Sequence, residues 1–232
     1  MATFVVAHGA WAAGWAWKKM HPLMRAKGHE LITPTYTGLG ERAHLATSAI
    51  GLEHHVQDML MVLQVEDIRD AILIGHSYGG MVATGVADLA AERIAKLVYL
   101  DAFVPEHGKC SLDYLPADHR KRMEDNAVDG WKVPPNPVPP DTSPQDVAWT
   151  DPRRVHQPLA CFQEPLLLEN GEPQMPRSYI YAARSGPGDV FRQFAERARK
   201  EGWNYVEMDA SHSPHITAPE ALTEVLDKIA RG

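Results

Sequence analysis

The sequence predicts an α/β fold, in which helices flank a mostly parallel β-sheet and a cap is inserted between two strands of that sheet. Short apolar runs alternate with stretches of helical periodicity along most of the 232 residues, which is typical of repeated βα units. One apolar run leads directly into a Gly-x-Ser-x-Gly turn at 75–79. From residue 105 to about 176 the chain holds most of its prolines and shows only short helical patterns, which indicates the cap.

Up to residue 104 we expect four strands separated by three helices. The strands are short, apolar and partly β-branched, as buried strands of a parallel sheet are. Pro22 predicts a turn or a kink in the first helix. In the second helix, one side is apolar because Leu52, Val56, Met59, Leu60 and Leu63 recur at helical spacing. The predicted elements are strands at 3–7, 30–34, 71–74 and 94–100, and helices at 14–27, 52–65 and about 80–91.

Beyond residue 104 the sequence indicates a cap and then the second part of the core. Aromatic and leucine residues recur between 105 and 176, which a disordered tail would lack. For 133–144 a surface loop is the alternative to a packed part of the cap. The predicted domains are therefore a core of 1–104 and 177–232 and a cap of 105–176. In the core, strands are predicted at 178–183 and 203–208 and helices at 189–200, with Asp189 as N-cap, and at 219–230.

The composition narrows the classes of partner. A formal net charge of -7 disfavours nucleic acids, which require a basic face, and anionic membrane surfaces. No apolar run has the length of a membrane span. The first residues lack the basic region of a signal peptide, so we expect a cytoplasmic protein.

The cysteines and histidines predict no metal site. Cys110 and Cys161 are the two cysteines, and free thiols are expected in a reducing compartment. Of the twelve histidines only His54 and His55 are adjacent, and adjacent residues point to different sides of a helix. Neither H-x-x-x-H nor C-x-x-C occurs, so we expect neither a metal nor a cofactor.

The turn Gly75-His76-Ser77-Tyr78-Gly79 is the strongest functional motif. Its glycines leave room for a turn so tight that side chains would clash on either side of Ser77. Such a turn lifts the serine hydroxyl above the sheet edge and points the start of a helix at it. The alternative is a glycine-rich turn with an incidental serine.

Three predicted strands end in residues suited to acyl transfer. The carboxyl ends of parallel strands meet at one sheet edge, so the turns that hold Ala10, Ser77 and His212 converge there. A serine hydroxyl is a weak nucleophile until a base takes its proton, and both His212 and His215 are candidate bases. The backbone N–H groups of Ala10 and Tyr78 are the candidate donors for an oxyanion hole.

Four segments carry a resemblance to a known family. They are Phe4-Val5-Val6-Ala7-His8-Gly9-Ala10-Trp11, Gly75-His76-Ser77-Tyr78-Gly79-Gly80-Met81, Leu100-Asp101-Ala102-Phe103-Val104-Pro105 and Ala210-Ser211-His212. With these segments the chain resembles the α/β-hydrolases, and specifically the compact branch of plant methylesterases and hydroxynitrile lyases. The match covers nearly the whole chain except the interior of the cap. The resemblance implies that His212 is the base, and it leaves His215 as a polar loop residue near the site entrance.

The acid of the triad departs from the pattern of this branch. Members usually carry it just after the strand equivalent to 179–183, where this chain has Arg184 and Ser185. Asp189 is displaced from that place and is expected to cap a helix. Asp209 is close to His212 in sequence but equally suits a loop-shaping role.

Asp101 is the preferred acid. It ends the strand that follows the helix after Ser77, where other α/β-hydrolases place the acid. From there it could reach the ring nitrogen of His212 that faces away from Ser77. A dyad of serine and histidine, oriented by water or a backbone carbonyl, is a further alternative.

The resemblance implies a serine hydrolase that cleaves a carboxylic ester through an acyl-enzyme intermediate. The apolar and aromatic cap favours a small-molecule apolar substrate, an alkyl or aromatic ester, with a carbamate or an amide also compatible. Hydroxynitrile lyases are the first alternative, but they carry a threonine and a lysine where this chain has Gly9 and Ser213. A non-catalytic small-ligand receptor on the same fold is the second. The oligomeric state is left open, a homodimer included.

Overall fold

A computed structural model describes residues 1–186 and 188–232. Its strands are β1 (Thr3–Ala7), β2 (Glu30–Ile32), β3 (Ala71–His76), β4 (Ile94–Leu100), β5 (Lys132–Val133), β6 (Gln157–Pro158), β7 (Arg177–Ala182) and β8 (Asn204–Met208). Six of them form one sheet in the order β2-β1-β3-β4-β7-β8. All neighbouring strands in this sheet run parallel, and helices flank it, which confirms the predicted fold class. The short strands β5 and β6 pair with each other.

Both faces of the central strands are buried, which explains their continuous apolar runs. Alternate side chains of a strand point to opposite faces. One apolar cluster therefore contains Val5, Leu73, Leu97 and Tyr179. The cluster on the other face contains Phe4, Ile72, Val98 and Ile180.

Each of the five helices predicted in the core is present, with different boundaries at 14–27 and 189–200, and the structure adds four further helices that the sequence did not predict individually. The helices are α1 (Met20–Ala26), α2 (Leu52–Val65), α3 (Gly79–Leu89), α4 (Ala117–Asp125), α5 (Pro144–Thr150), α6 (Ala160–Gln163), α7 (Arg192–Lys200), α8 (Pro214–Thr217) and α9 (Pro219–Arg231). The helix predicted at 14–27 is divided into a 3₁₀ turn, Gly14–Trp17, and α1. None of the helices in the described part of the chain combines the length and the apolar character that crossing a bilayer requires.

The prediction that Asp189 is the N-cap of a helix was wrong. Helix α7 begins at Arg192, and its N-cap is Phe191. The carboxylate of Asp189 instead accepts a hydrogen bond from the Phe191 N–H at 2.9 Å, which closes a turn before the helix. An aspartate favours such local turns as readily as a helix cap.

The segment between β4 and β7 leaves the sheet and returns to it at the neighbouring strand. It contains α4, α5, α6 and the two-stranded pair β5–β6, in which Val133 lies opposite Gln157. Its apolar residues join the core on the α2–α3 face, since Leu112, Phe162 and Leu166 belong to the same buried cluster as Val5. The predicted cap segment thus packs against this face of the core, and its Gln157 accepts a hydrogen bond from Trp11 in the turn after β1.

Candidate active site

Ser77 lies in a strained turn between β3 and α3. Its φ angle of 56° is in the left-handed region, which residues other than glycine rarely adopt. The flanking glycines permit this turn, since a Cβ on Gly79 would lie 2.0 Å from the Ala7 carbonyl oxygen and one on Gly75 would lie 2.8 Å from the Gly79 oxygen. A strained serine at a strand-to-helix turn is the geometry of a nucleophile elbow.

His212 reaches the serine from the loop between β8 and α8. Its Nε2 lies 2.9 Å from Ser77 Oγ, within the range of a hydrogen bond. The ring of Phe191 stacks on the imidazole at a centroid distance of 4.8 Å and an interplanar angle of 9°. His76 Nε2–H donates a hydrogen bond to the His212 carbonyl at 2.8 Å. The ring and the backbone of His212 are therefore both held in place.

Asp101 lies at the end of β4 on the far side of the imidazole. Its Oδ2 accepts a hydrogen bond from His212 Nδ1–H at 2.7 Å, and its Oδ1 accepts one from the Ala182 N–H at 3.2 Å. The residue is 1% exposed, and burial raises the pKa of its carboxyl above the ordinary value, against the opposing effect of the His212 hydrogen bond. Because the carboxylate takes the Nδ1 proton, the Nε2 lone pair faces Ser77.

The two other candidate carboxylates have different partners. Asp189 accepts hydrogen bonds from the Tyr181 hydroxyl and the Phe191 N–H. Asp209 forms a bidentate pair with Arg184, at 2.6 and 2.9 Å. The structure therefore brings Asp101, and neither of the alternatives, to His212.

His215 does not lie at the site entrance, contrary to the expectation for this residue. It is 2% exposed and stacks on Trp17 at a centroid distance of 4.6 Å. Its ring also lies edge-on to His76. Burial lowers the pKa of His215 to about 3, so the imidazole is neutral, and it forms part of the buried wall of the cavity that contains Ser77. Its sequence position in a polar loop carried no signal of this burial.

The two candidate oxyanion donors, Ala10 and Tyr78, line a cavity that also contains Ser77 and His212. The turn that carries Ala10 is held by His8, whose Nδ1–H donates to the Gly9 carbonyl at 2.9 Å. Neither the Ala10 nor the Tyr78 backbone N–H donates a hydrogen bond to another group in the described part of the chain. Both are thus free to bind an oxygen atom of a ligand.

The side chain of Tyr78 packs under the cap. Its hydroxyl donates to His55 Nδ1 at 2.9 Å, and its ring contacts Phe162. The sequence patterns had singled out His55 only as one of two adjacent histidines. Burial lowers the pKa of His55 to about 3, so the ring is a neutral hydrogen-bonding group.

The cavity above Ser77 has a volume of about 590 Å³ and lies between the sheet edge and the cap. Its apolar walls include Trp11, Phe103, Leu115, Met123, Phe162 and Phe191. Such a cavity suits an apolar ligand with few polar groups. In the described part of the chain, no group of three His, Cys, Asp or Glu side chains is arranged to hold a metal ion.

Comparison with known proteins relates nearly the whole chain to one family. A sequence profile described as the alpha/beta hydrolase family matches residues 4–225. A carbendazim hydrolyzing esterase of Nocardioides sp. (strain SG-4G) is 39% identical, over 97% of this chain and 98% of the relative. Methylesterase 8 of Arabidopsis thaliana is 26% identical over 44% of this chain and 38% of that protein.

Among solved structures, an extracellular alpha/beta-hydrolase from a Paenibacillus species superimposes with a TM-score of 0.86. It is 26% identical, and the match covers 98% of both chains. Together with the methylesterase relative, these matches confirm the resemblance that the four sequence segments indicated.

Proposed function

The chain belongs to the alpha/beta hydrolase family, and on that basis we propose that it hydrolyses carboxylic esters through an acyl-enzyme formed on Ser77. The esterase relatives support ester hydrolysis. The observation that carries the serine mechanism is the hydrogen-bonded series from Asp101 through His212 to Ser77, at 2.7 and 2.9 Å. A nucleophile, a base and a group that orients the base are the parts that acyl transfer requires.

In the proposed acylation step, Ser77 Oγ attacks the carbonyl carbon of the ester while His212 Nε2 takes the hydroxyl proton. The carbonyl oxygen becomes an oxyanion, which the backbone N–H groups of Ala10 and Tyr78 stabilise. The bond to the alcohol oxygen then breaks, and His212 gives its proton to that oxygen. The alcohol leaves, and the acyl group stays on Ser77.

Deacylation repeats the same proton transfers with water. A water molecule attacks the acyl carbon while His212 Nε2 takes its proton, and the proton then returns to Ser77 Oγ as the acid leaves. Asp101 keeps the Nδ1 proton on the imidazole and stabilises the imidazolium that forms in each step. Its burial and its second hydrogen bond, from the Ala182 N–H, hold the carboxylate in one orientation.

The substrate we propose is a small apolar molecule with an alkyl or aromatic ester. The cavity supports this because its walls are largely aromatic and aliphatic, and a carbamate or an amide has the same carbonyl geometry at the reacting atom. The carbendazim hydrolyzing esterase is similar to this chain over almost its full length, so carbendazim belongs in the first substrate panel.

The test compares wild-type protein with Ser77→Ala and with Ser178→Ala. Ser178 is a matched control because it is a buried serine on β7 whose Oγ accepts a hydrogen bond from Asn204. With a p-nitrophenyl ester in a rapid-mixing experiment, wild type and Ser178→Ala should release a burst of p-nitrophenol close to one per enzyme molecule. Ser77→Ala should show neither the burst nor labelling by a fluorophosphonate.

Other outcomes would overturn the proposal in distinguishable ways. A burst that survives in Ser77→Ala would place the nucleophile elsewhere. Absence of turnover on esters, together with a large thermal shift on ligand binding, would favour a receptor. Release of an aldehyde and cyanide from a cyanohydrin would favour a lyase, although Ser213 stands where those enzymes carry a lysine.

A further inference from the structure

The residue after Ala10 has an unusual backbone conformation. Trp11 has a φ angle of 59°, in the left-handed region that a bulky residue adopts only where its surroundings hold it there. The peptide unit that carries the Ala10 N–H and the one that carries the Trp11 N–H share the Ala10 Cα atom. A contact that holds the second unit in place therefore restrains the first.

The cap holds Trp11 at three points. Its backbone N–H donates to Gln157 Oε1 at 2.8 Å, and its indole Nε1–H donates to the Val133 carbonyl at 3.1 Å. Its own carbonyl accepts a hydrogen bond from the Val155 N–H at 3.2 Å. Val133 and Gln157 lie opposite each other in the β5–β6 pair. This two-stranded pair therefore holds the turn that follows β1 through two hydrogen bonds.

Of the three cap residues, Gln157 alone contacts Trp11 through its side chain, since Val133 and Val155 use backbone groups. A substitution in the cap can therefore remove the Gln157 contact selectively. The residue is 0% exposed. Its Nε2 group is buried and makes no hydrogen bond within the described residues, although the weakly accepting thiol of Cys161 lies near it. A buried amide with one unpaired end is a poor contributor to stability. The hydrogen bond that Oε1 accepts from the Trp11 N–H is therefore the specific contact that this side chain provides.

We propose that Gln157 is a positioning residue for the oxyanion hole and acts through Trp11. By taking the Trp11 N–H, it keeps that donor out of the cavity and holds the peptide unit in the orientation that leaves the Ala10 N–H facing the substrate. Without Oε1, Trp11 relaxes out of the left-handed region and the neighbouring Ala10 N–H turns away. The inference rests on the function proposed above, since it assigns this role within the same reaction.

The test uses Gln157→Met, which keeps the length of the side chain but removes the acceptor. Thr84→Val is the matched control, because it removes a buried hydroxyl whose hydrogen bonds are to the Gly80 carbonyl and the Tyr99 hydroxyl, both at 2.8 Å, and not to Trp11. The kinetic measurements are kcat and KM for a p-nitrophenyl ester and Ki for a boronic acid, which forms a tetrahedral adduct on an active serine. Amide hydrogen exchange in the peptide covering 8–12 reports on the turn itself.

In Gln157→Met we expect kcat to fall about tenfold to a hundredfold, with KM nearly unchanged and Ki for the boronic acid raised by the same factor. Exchange in 8–12 should accelerate. Thr84→Val should leave kcat, KM, Ki and the exchange in 8–12 near their wild-type values, even if its Tm falls as far as that of Gln157→Met. A fall in kcat that only matches the loss of folded protein, or exchange that accelerates while kcat is retained, would overturn the proposal.

Two further arms keep the inference testable. If Gln157→Met does not fold, Trp11→Phe is measured in its place, because it removes the indole donor to Val133. The ratio of the boronic-acid Ki to KM should then rise, as expected for Gln157→Met. An unchanged ratio would contradict the proposal that the cap positions the oxyanion hole through Trp11. If the wild type turns over no ester, the proposed function fails. Hydrogen exchange then decides whether Gln157 holds the turn, since unchanged exchange in Gln157→Met would refute it.

Discussion

The substitution Asp101→Asn tests the most specific part of the proposed mechanism. Asparagine has nearly the same shape as aspartate, so its Oδ1 can still accept from the Ala182 N–H. Its amide nitrogen, however, places N–H donors opposite His212 Nδ1, where the carboxylate now accepts at 2.7 Å. The imidazole must then accept at Nδ1 and carry its proton on Nε2, the nitrogen that lies 2.9 Å from Ser77 Oγ. In this tautomer it cannot take the serine proton.

The expected loss follows from this tautomer change. In serine proteases the same substitution lowers kcat by about 10⁴-fold, which corresponds to about 5 kcal/mol of transition-state stabilisation. We expect a loss of that order here in the p-nitrophenyl ester assay, with KM little changed. Asp189→Asn is the comparison, since this carboxylate bonds Tyr181 and Phe191 and not the base, and it should retain most of its activity.

Asp101→Asn should also be more stable than the wild type at neutral pH. Burial raises the pKa of Asp101 in the folded protein, so the folded state binds the proton more tightly than the unfolded chain does. For a raised carboxyl pKa, the ionisation penalty is absent below the unfolded pKa, grows through the interval up to the folded pKa, and is complete above it. Asparagine has no charge to bury, so the gain in Tm should be largest at neutral pH and vanish in acid.

Two measurements would refute this reasoning. Near wild-type kcat in Asp101→Asn together with a severe loss in Asp189→Asn would move the acid to the other carboxylate. A Tm for Asp101→Asn that falls below wild type at neutral pH, in calorimetric scans across acidic and neutral buffers, would show that the hydrogen bond to His212 outweighs the cost of burying the charge.

Two more substitutions test parts of the site that hold other residues in place. Phe191→Leu removes the ring stacked on His212 at 4.8 Å; because an aromatic pair contributes about 1 kcal/mol, we expect kcat to fall about threefold to tenfold without loss of the fold by circular dichroism, and unchanged kcat would contradict the positioning role. Gly79→Ala would put a methyl group 2.0 Å from the Ala7 carbonyl oxygen, so the variant should yield little folded protein in gel filtration; a stable, active variant would show that the elbow can shift.

Much of the fold followed from local patterns in the sequence. The apolar runs at β3 and β4 are continuous because both faces of the sheet are covered, and the structure places these strands at Ala71–His76 and Ile94–Leu100. Helix α2 spans Leu52–Val65, as predicted. Errors arose where a polar residue had two local uses, as at Asp189, whose carboxylate closes a turn and does not cap the helix.

The candidate site likewise has a part that the sequence predicted and a part that required the structure. The elbow around Ser77 was readable because the strand, the glycines and the helix are contiguous in sequence. Asp101 could be preferred only by exclusion and by its strand end, and the distance to His212 was needed to bring the two together. Its catalytic role stays a proposal until the asparagine variant is measured.

By itself, the sequence determined the order of strands and helices, the turn that carries Ser77 and the strand ends that meet at one edge of the sheet, because these depend on neighbouring residues and on the chain direction. Only the tertiary structure decided which groups touch across that edge. The burial of His215 against Trp17, the stacking of Phe191 on His212 and the grip of Gln157 on a residue 146 positions away are of this kind. They depend on how the cap and the loops pack, and no local pattern encodes that packing.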